Sequence, residues 1–151
     1  MVSIRYGILR SLRDRLTGIA GWTAQLRGTE NAGGGTKVHA VVEFLGEDNV
    51  FGSTDLYTCT MTVSVSITGR TADAGPAYSN DPFEYLDSLV ATAEKKIHSP
   101  DSWGPAPSFT DVRIDGHAVA DPESGDELME VSALLRLTFT YQHQITDPGA
   151  P

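Results

Sequence analysis

Thr58-Cys59-Thr60-Met61-Thr62-Val63-Ser64-Val65-Ser66-Ile67-Thr68 alternates apolar and hydroxylated residues without a fault for eleven positions. Strict period-two patterning of this kind marks a half-buried β-strand. One face sends Cys59, Met61, Val63, Val65 and Ile67 into a core, and the other presents only Thr and Ser. Water-facing strands ordinarily recruit Lys, Glu or Arg, which also discourage unwanted pairing, so an uncharged hydroxyl face implies cover or a partner. The alternative is a strand chosen for β-propensity alone, with threonine on its wet side.

Upstream, Val38-His39-Ala40-Val41-Val42-Glu43-Phe44-Leu45 reads as a second strand that stops at Gly46-Glu47-Asp48-Asn49. Before it, Gly18 to Thr36 loses periodicity and ends in Gly33-Gly34-Gly35, which reads as a loop carrying Trp22. The chain opens with Ile4, Ile8, Leu12 and Leu16 at helical spacing, with Leu9 and Ile19 alongside. This is an amphipathic helix with Ser3 as its N-cap and Thr17-Gly18 as its stop; Arg10, Arg13 and Arg15 fall away from the apolar stripe or on its edges.

Downstream, a turn-rich stretch from Gly69 to Asn80 leads to a second helix. Asp81 or Asn80 caps it, Pro82 occupies its first position, and Phe83, Leu86, Val90, Ala93 and Ile97 form its apolar stripe. Glu84 and Asp87 sit early and Lys95, Lys96 and His98 late, as the helix dipole prefers. Ser99 to Pro107 holds three prolines and a glycine and is a loop bearing Trp103. Phe109, Val112 and Ile114 mark a strand, and Asp121 to Glu127 an acidic turn. Leu135, Leu137, Phe139, Tyr141, His143 and Ile145 form the inner face of a long last strand, followed by a frayed tail after Thr146.

The expected fold is α+β: a mainly antiparallel β-sheet with two α-helices packed on it, in the order α-β-β-α-β-β, forming one domain over residues 1–151. The chain carries 11 basic and 20 acidic residues, a net charge of −9, which disfavours a dedicated nucleic-acid binder. The imbalance is uneven. Arg5, Arg10, Arg13, Arg15 and Arg27 leave residues 1–30 at +3 and the remainder at −12. A basic end and an acidic body suit contact with other copies or a charged neighbour, although a solvated helix face accounts for the arginines as well. No stretch approaches the roughly 18 apolar residues of a membrane span, and the first residues lack the apolar core of a signal peptide, so a soluble protein made in the cytosol is expected, with no membrane partner.

No catalytic set emerges. His39, His98, His117 and His143 have no metal-ligand spacing with each other or with the single Cys59, so neither metal nor cofactor is expected. The Asp121–Glu127 carboxylates do not occupy the positions of a calcium loop. Trp22 and Trp103 fall in loops, where tryptophans either anchor interfaces or pack over their own loop.

Taken in order, the Ile4-to-Leu16 helix, the Phe83-to-Ile97 helix, the Asp101-to-Gly104 loop, the run Phe109-Thr110-Asp111-Val112-Arg113-Ile114-Asp115-Gly116 and the strand Leu134-Leu135-Arg136-Leu137-Thr138-Phe139-Thr140-Tyr141 resemble the tail terminator proteins of long-tailed bacteriophages. The similarity spans nearly the whole chain and consists of ordered patterns rather than a single signature. The chain departs from that family in its glycine-rich first loop and its proline-rich Trp103 loop.

The resemblance implies a non-enzymatic virion protein that assembles with itself into a hexameric ring on the head-proximal end of a tail tube. Such a ring ends tube polymerisation and offers the surface that receives the head and neck. Its partners would be the tail tube protein and a neck or head-completion protein, with DNA only passing through the lumen. Subunit or tube contacts are expected at Arg10, Arg13, Trp22, the hydroxyl face Thr60, Thr62, Ser64 and Ser66, and Trp103. The alternatives are another neck component, such as a head-closure or tail-completion protein, or a small ligand-binding α+β domain.

Overall fold

The computed structural model describes residues 3–27, 38–52, 55–70, 82–99, 103, 111–119 and 130–151. Two helices and five strands follow in the order α1 (Ile4–Thr17), β1 (Trp22–Leu26), β2 (Val38–Phe51), β3 (Leu56–Arg70), α2 (Pro82–Ile97), β4 (Asp111–Val119) and β5 (Glu130–Gln144). The strands form one sheet in the spatial order β1-β2-β3-β5-β4, antiparallel throughout except for the parallel β1–β2 pair. Both helices pack on the same side: α1 on β1 and β2, α2 on β5 and β3, and each on the other. The fold is α+β, as expected.

The alternating run lands as its pattern requires. Cys59, Met61, Val63, Val65 and Ile67 have no exposed surface, and neither do their β5 neighbours Leu135, Leu137 and Phe139. The helices contribute Ile8, Leu12 and Leu16 from α1 and Leu86, Val90, Ala93 and Ile97 from α2. Phe83, expected on the α2 stripe, is instead 53% exposed at the first turn. Packing between α2 and the sheet is close at Gly69, where a methyl group would meet Leu89 Cδ1 at 3.0 Å and the Tyr85 hydroxyl at 3.1 Å.

Three further expectations are corrected. Trp22 lies in a strand: β1 is a five-residue element inside the stretch read as loop, with Trp22, Ala24 and Leu26 buried and Thr23 and Gln25 less so. Strand β2 does not stop at Gly46. One extra residue between Phe44 and Gly46 makes a β-bulge, after which pairing with β3 continues to Phe51. The C-terminal tail is not loose: the Gln144 N–H donates to the Ala150 carbonyl and the Ile4 N–H to the Pro148 carbonyl, both near 3.0 Å. Ser3 Oγ accepts from the Tyr6 N–H as expected, so two of the free donors at the start of α1 are satisfied.

The α2 capping residues Asn80 and Asp81, the Gly33–Gly35 run, Phe109, the Asp121–Glu127 turn, and the Ser99–Pro107 loop apart from Ser99 and Trp103 lie outside the described residues.

Candidate functional site: the helix-free sheet face

The bulge at Leu45 controls what each face of the sheet displays. Before it, Val38, Ala40 and Val42 point into the core opposite Gly69, Ile67 and Val65. A one-residue insertion inverts the alternation. Beyond it Glu47 and Asn49 fall opposite Met61 and Cys59 on the helix side, while Asp48 and Val50 fall opposite Thr60 and Thr58 on the other.

A carboxylate is thereby placed on the core side, and the fold surrounds it. Glu47 accepts a hydrogen bond from the Tyr141 hydroxyl and lies 3.7 Å from the Arg5 guanidinium. Arg5 also sits 5.5 Å from the centre of the Phe44 ring, and its Nε is buried without a hydrogen-bond partner. Burial, reinforced by the Glu47 charge, pushes the neighbouring Cys59 thiol up to about 11. This cluster pins the distal half of the β2–β3 hairpin to the first turn of α1.

The opposite face carries no helix among the described residues. Across the sheet its rows run Glu43–Ser64–Arg136, Gly46–Thr62–Thr138–Arg113 and Asp48–Thr60–Thr140–Asp111. Ser64 is only 4% exposed, because its cross-strand neighbours Glu43 and Arg136 carry longer side chains that shade it. Thr60 is exposed and Thr62 and Ser66 partly so, with Leu134 adding an exposed apolar group beside Ser66. Glu43 and Asp48 stand on β2 and Arg136 and Arg113 on β5 and β4, with Arg27 just past β1 beside Glu43. Glu43 is held at 2.6 Å by Arg27.

The expected contact residues do not converge. Thr60, Thr62, Ser64 and Ser66 share this face, whereas Arg10 and Arg13 ride on α1 across the sheet from it. Arg10 is exposed with its guanidinium 6.0 Å from the Tyr6 ring, and Arg13 is paired with Asp14 at 2.7 Å. Trp22 is 6% exposed and belongs to the core. Trp103 packs edge-on against Phe139 at 5.8 Å between ring centres and receives the Arg15 guanidinium over its ring at 4.5 Å. Trp22 therefore offers no exposed anchor, and Trp103 spends its ring on intramolecular packing.

Arg15 itself departs from its expected place on the polar edge of α1. It is 8% exposed, and donates from Nε to the Lys96 carbonyl at 2.8 Å and from Nη2 to the Ser99 carbonyl at 2.6 Å. It thus serves carbonyls at the end of α2 that have left the helical hydrogen-bond ladder.

Sequence reading missed the exposed apolar end of the hairpin. Val50 and Phe51 are 66% and 67% exposed, and Phe51 meets Tyr57 edge-to-face at 6.0 Å. The signal was the pair Val50-Phe51 just beyond the presumed stop. A groove of about 380 Å³ lies along the same hairpin, lined by Tyr6, Leu9, Leu26, Val42 and Phe44 with the Arg27–Glu43 pair. Among the described residues there is no group of three His, Cys, Asp or Glu side chains placed to hold a metal ion, and no helix is long and apolar enough to cross a membrane.

Comparison with protein-family models finds no match, and comparison with the curated proteins finds none at a significant level.

Proposed function

We propose that this chain is a structural subunit of a phage tail terminator, assembling into a ring of about six copies on the head-proximal end of a tail tube. The observation that carries the proposal is the helix-free sheet face, whose central strand has only small hydroxyl side chains and no charge on that side from Thr58 to Thr68, with Ser64 shaded by its cross-strand neighbours. Small uncharged side chains allow another surface to approach closely at little desolvation cost, and a heterologous ring needs two different complementary surfaces on each subunit. Exposed Asp48 on one edge strand and exposed Arg113 on the other supply that asymmetry.

In this role the chain performs no chemistry. The ring ends tube growth by covering the last tube subunits and receives the neck or head-completion protein on its far side. The net charge of −9 then keeps DNA from adhering as it passes through the lumen. Another neck component would share this build but bind the head side rather than the tube.

A ligand-binding domain is the contrasting reading, and the groove beside Phe44 is the feature among the described residues that would favour it. The charged groups lining that groove, Arg27 and Glu43, are already paired with each other.

The test is solution mass by light scattering across a concentration series, combined with addition of the protein to growing tail tubes. A closed ring that halts elongation when added to tubes is the expected result. A chain that stays monomeric at all concentrations and neither binds nor stops tubes overturns the proposal.

A further inference from the structure

Strand β1 pairs with only the first five residues of the fourteen-residue β2, Val38 to Val42, leaving Glu43–Phe51 without a strand on its outer side among the described residues. At the other end of the sheet β4, nine residues long, has β5 as its one neighbouring strand among the described residues. The two open edges therefore match in length. Open backbone edges are templates for pairing, and the Glu43–Phe51 edge, although it carries the bulge and the inward Glu47, has no Lys or Pro and exposes Phe44, Leu45, Val50 and Phe51.

We infer that the β2 edge of one copy pairs with the β4 edge of the next, continuing the sheet across the subunit boundary. The inference rests on the self-assembly proposed above and names the surfaces that carry it. Successive antiparallel pairings along β2, β3, β5 and β4 leave β4 running opposite to β2. Rotation about an axis along the strands preserves these directions, so neighbouring copies meet in the antiparallel sense.

Bringing the irregularities of both strands side by side gives the register. β2 carries its extra residue at Leu45, and β4 has its own shift between Ile114 and Gly116, at Asp115. Setting Leu45 opposite Gly116 and Gly46 opposite Asp115 places Glu47 across from Ile114, Asp48 across from Arg113, Asn49 across from Val112 and Val50 across from Asp111. In this alignment Glu47 and Asn49 meet Ile114 and Val112 on the helix side, and Asp48 meets Arg113 on the other. Any slip by one residue would set core-side positions against outer-face positions. The alignment also joins exposed Asp48 to exposed Arg113 on the hydroxyl face. A guanidinium has five donors, so Arg113 can accept this partner and keep its intramolecular contact.

The test is a double variant of the full chain, Asp48→Cys with Arg113→Cys, oxidised in solution, with each single variant as control and Cys59 buried in all. Directly opposed positions on antiparallel strands lie within reach of a disulfide. A covalent ladder ending at the ring size is the expected result. A ladder that grows without closing supports the edge pairing but overturns the closed ring. An assembly that forms without cross-links overturns the edge pairing and leaves the ring standing, and a monomer without cross-links overturns both. As a second measurement, Asp48→Arg lowers the assembled fraction at least about tenfold at fixed concentration, and Asp48→Arg with Arg113→Asp restores it. Failure of the double reversal to restore assembly counts against the register.

Discussion

Arg15 in α1 closes the end of α2 through a 2.8 Å hydrogen bond to the Lys96 carbonyl, reaching across 81 positions of sequence. The same guanidinium lies over the Trp103 ring. Replacing Arg15 with Ala removes both contacts and takes the guanidinium donor from the partly buried Lys96 and Ser99 carbonyls at the end of α2. A loss of about 2–3 kcal/mol in urea unfolding is expected. Arg15→Lys recovers less than half of it, because a single ammonium lacks the planar fork.

Glu47→Gln tests the core-side cluster. The amide cannot pair with Arg5, but it can still accept from Tyr141. Because Arg5 is 42% exposed, the expected cost is modest, about 1 kcal/mol, whereas Glu47→Ala, which strands both partners, costs about 2–3 kcal/mol. Denaturation midpoints of the two variants check the order.

The pH dependence at Cys59 has a definite sign. The thiol rises from its ordinary value of 9.0 to about 11 in the folded chain, first because burial penalises the thiolate and then because Glu47 is near. The folded state holds the proton more tightly, so this contribution to stability is complete below pH 9 and is lost as pH climbs from 9 to about 11. Cys59→Ala removes that alkaline slope, and the native thiol resists alkylation at pH 8 until the chain unfolds; stability titrations and thiol labelling read both effects.

Gly69→Ala forces α2 outward, since the new methyl contacts Leu89 and Tyr85 near 3.0 Å. Both are side-chain ends that can shift, so a cost of about 1–2 kcal/mol is expected from thermal unfolding, rising further for Gly69→Val.

Thr62→Lys together with Ser66→Lys separates folding from docking. Both positions lie on the helix-free face, so monomer stability changes by less than about 0.5 kcal/mol per site. Docking on tail tubes is lost, while the ring mass read by light scattering is kept, because the subunit contacts lie on the β2 and β4 edges.

Regular repetition is what made the fold legible. The Thr58–Thr68 alternation, the three-and-four spacing of Ile4, Ile8, Leu12 and Leu16, and the Leu135-to-Tyr141 alternation each repeat often enough to exclude a competing period, and each is buried as its period requires. Strand β1 escaped because Trp22–Leu26 offers only three inward residues within a glycine-bearing stretch. The continuation of β2 escaped for a different reason: a bulge breaks the alternation and leaves Gly46-Glu47-Asp48-Asn49 with the composition of a turn. Arg15 was placed by its charge, although its helical position points inward and its partners lie on another helix. Of the candidate contacts, the hydroxyl row was readable because it belongs to a long periodic strand. The tryptophans were not, since whether a loop aromatic faces water depends on long-range packing against groups such as Phe139.

Leu45 is a spare residue in the hairpin. Deleting it would restore an unbroken ladder, with Phe44 still opposite Val63 and Gly46 still opposite Thr62, so Glu47 would stay on the core side beside Arg5 and Tyr141 and only the local bend would be lost. A single deletion beyond the bulge would instead exchange the wet and dry sides of every residue after it. Descendants of this sequence are therefore expected to tolerate the loss of one residue at Leu45 and to resist an odd change between Gly46 and Phe51.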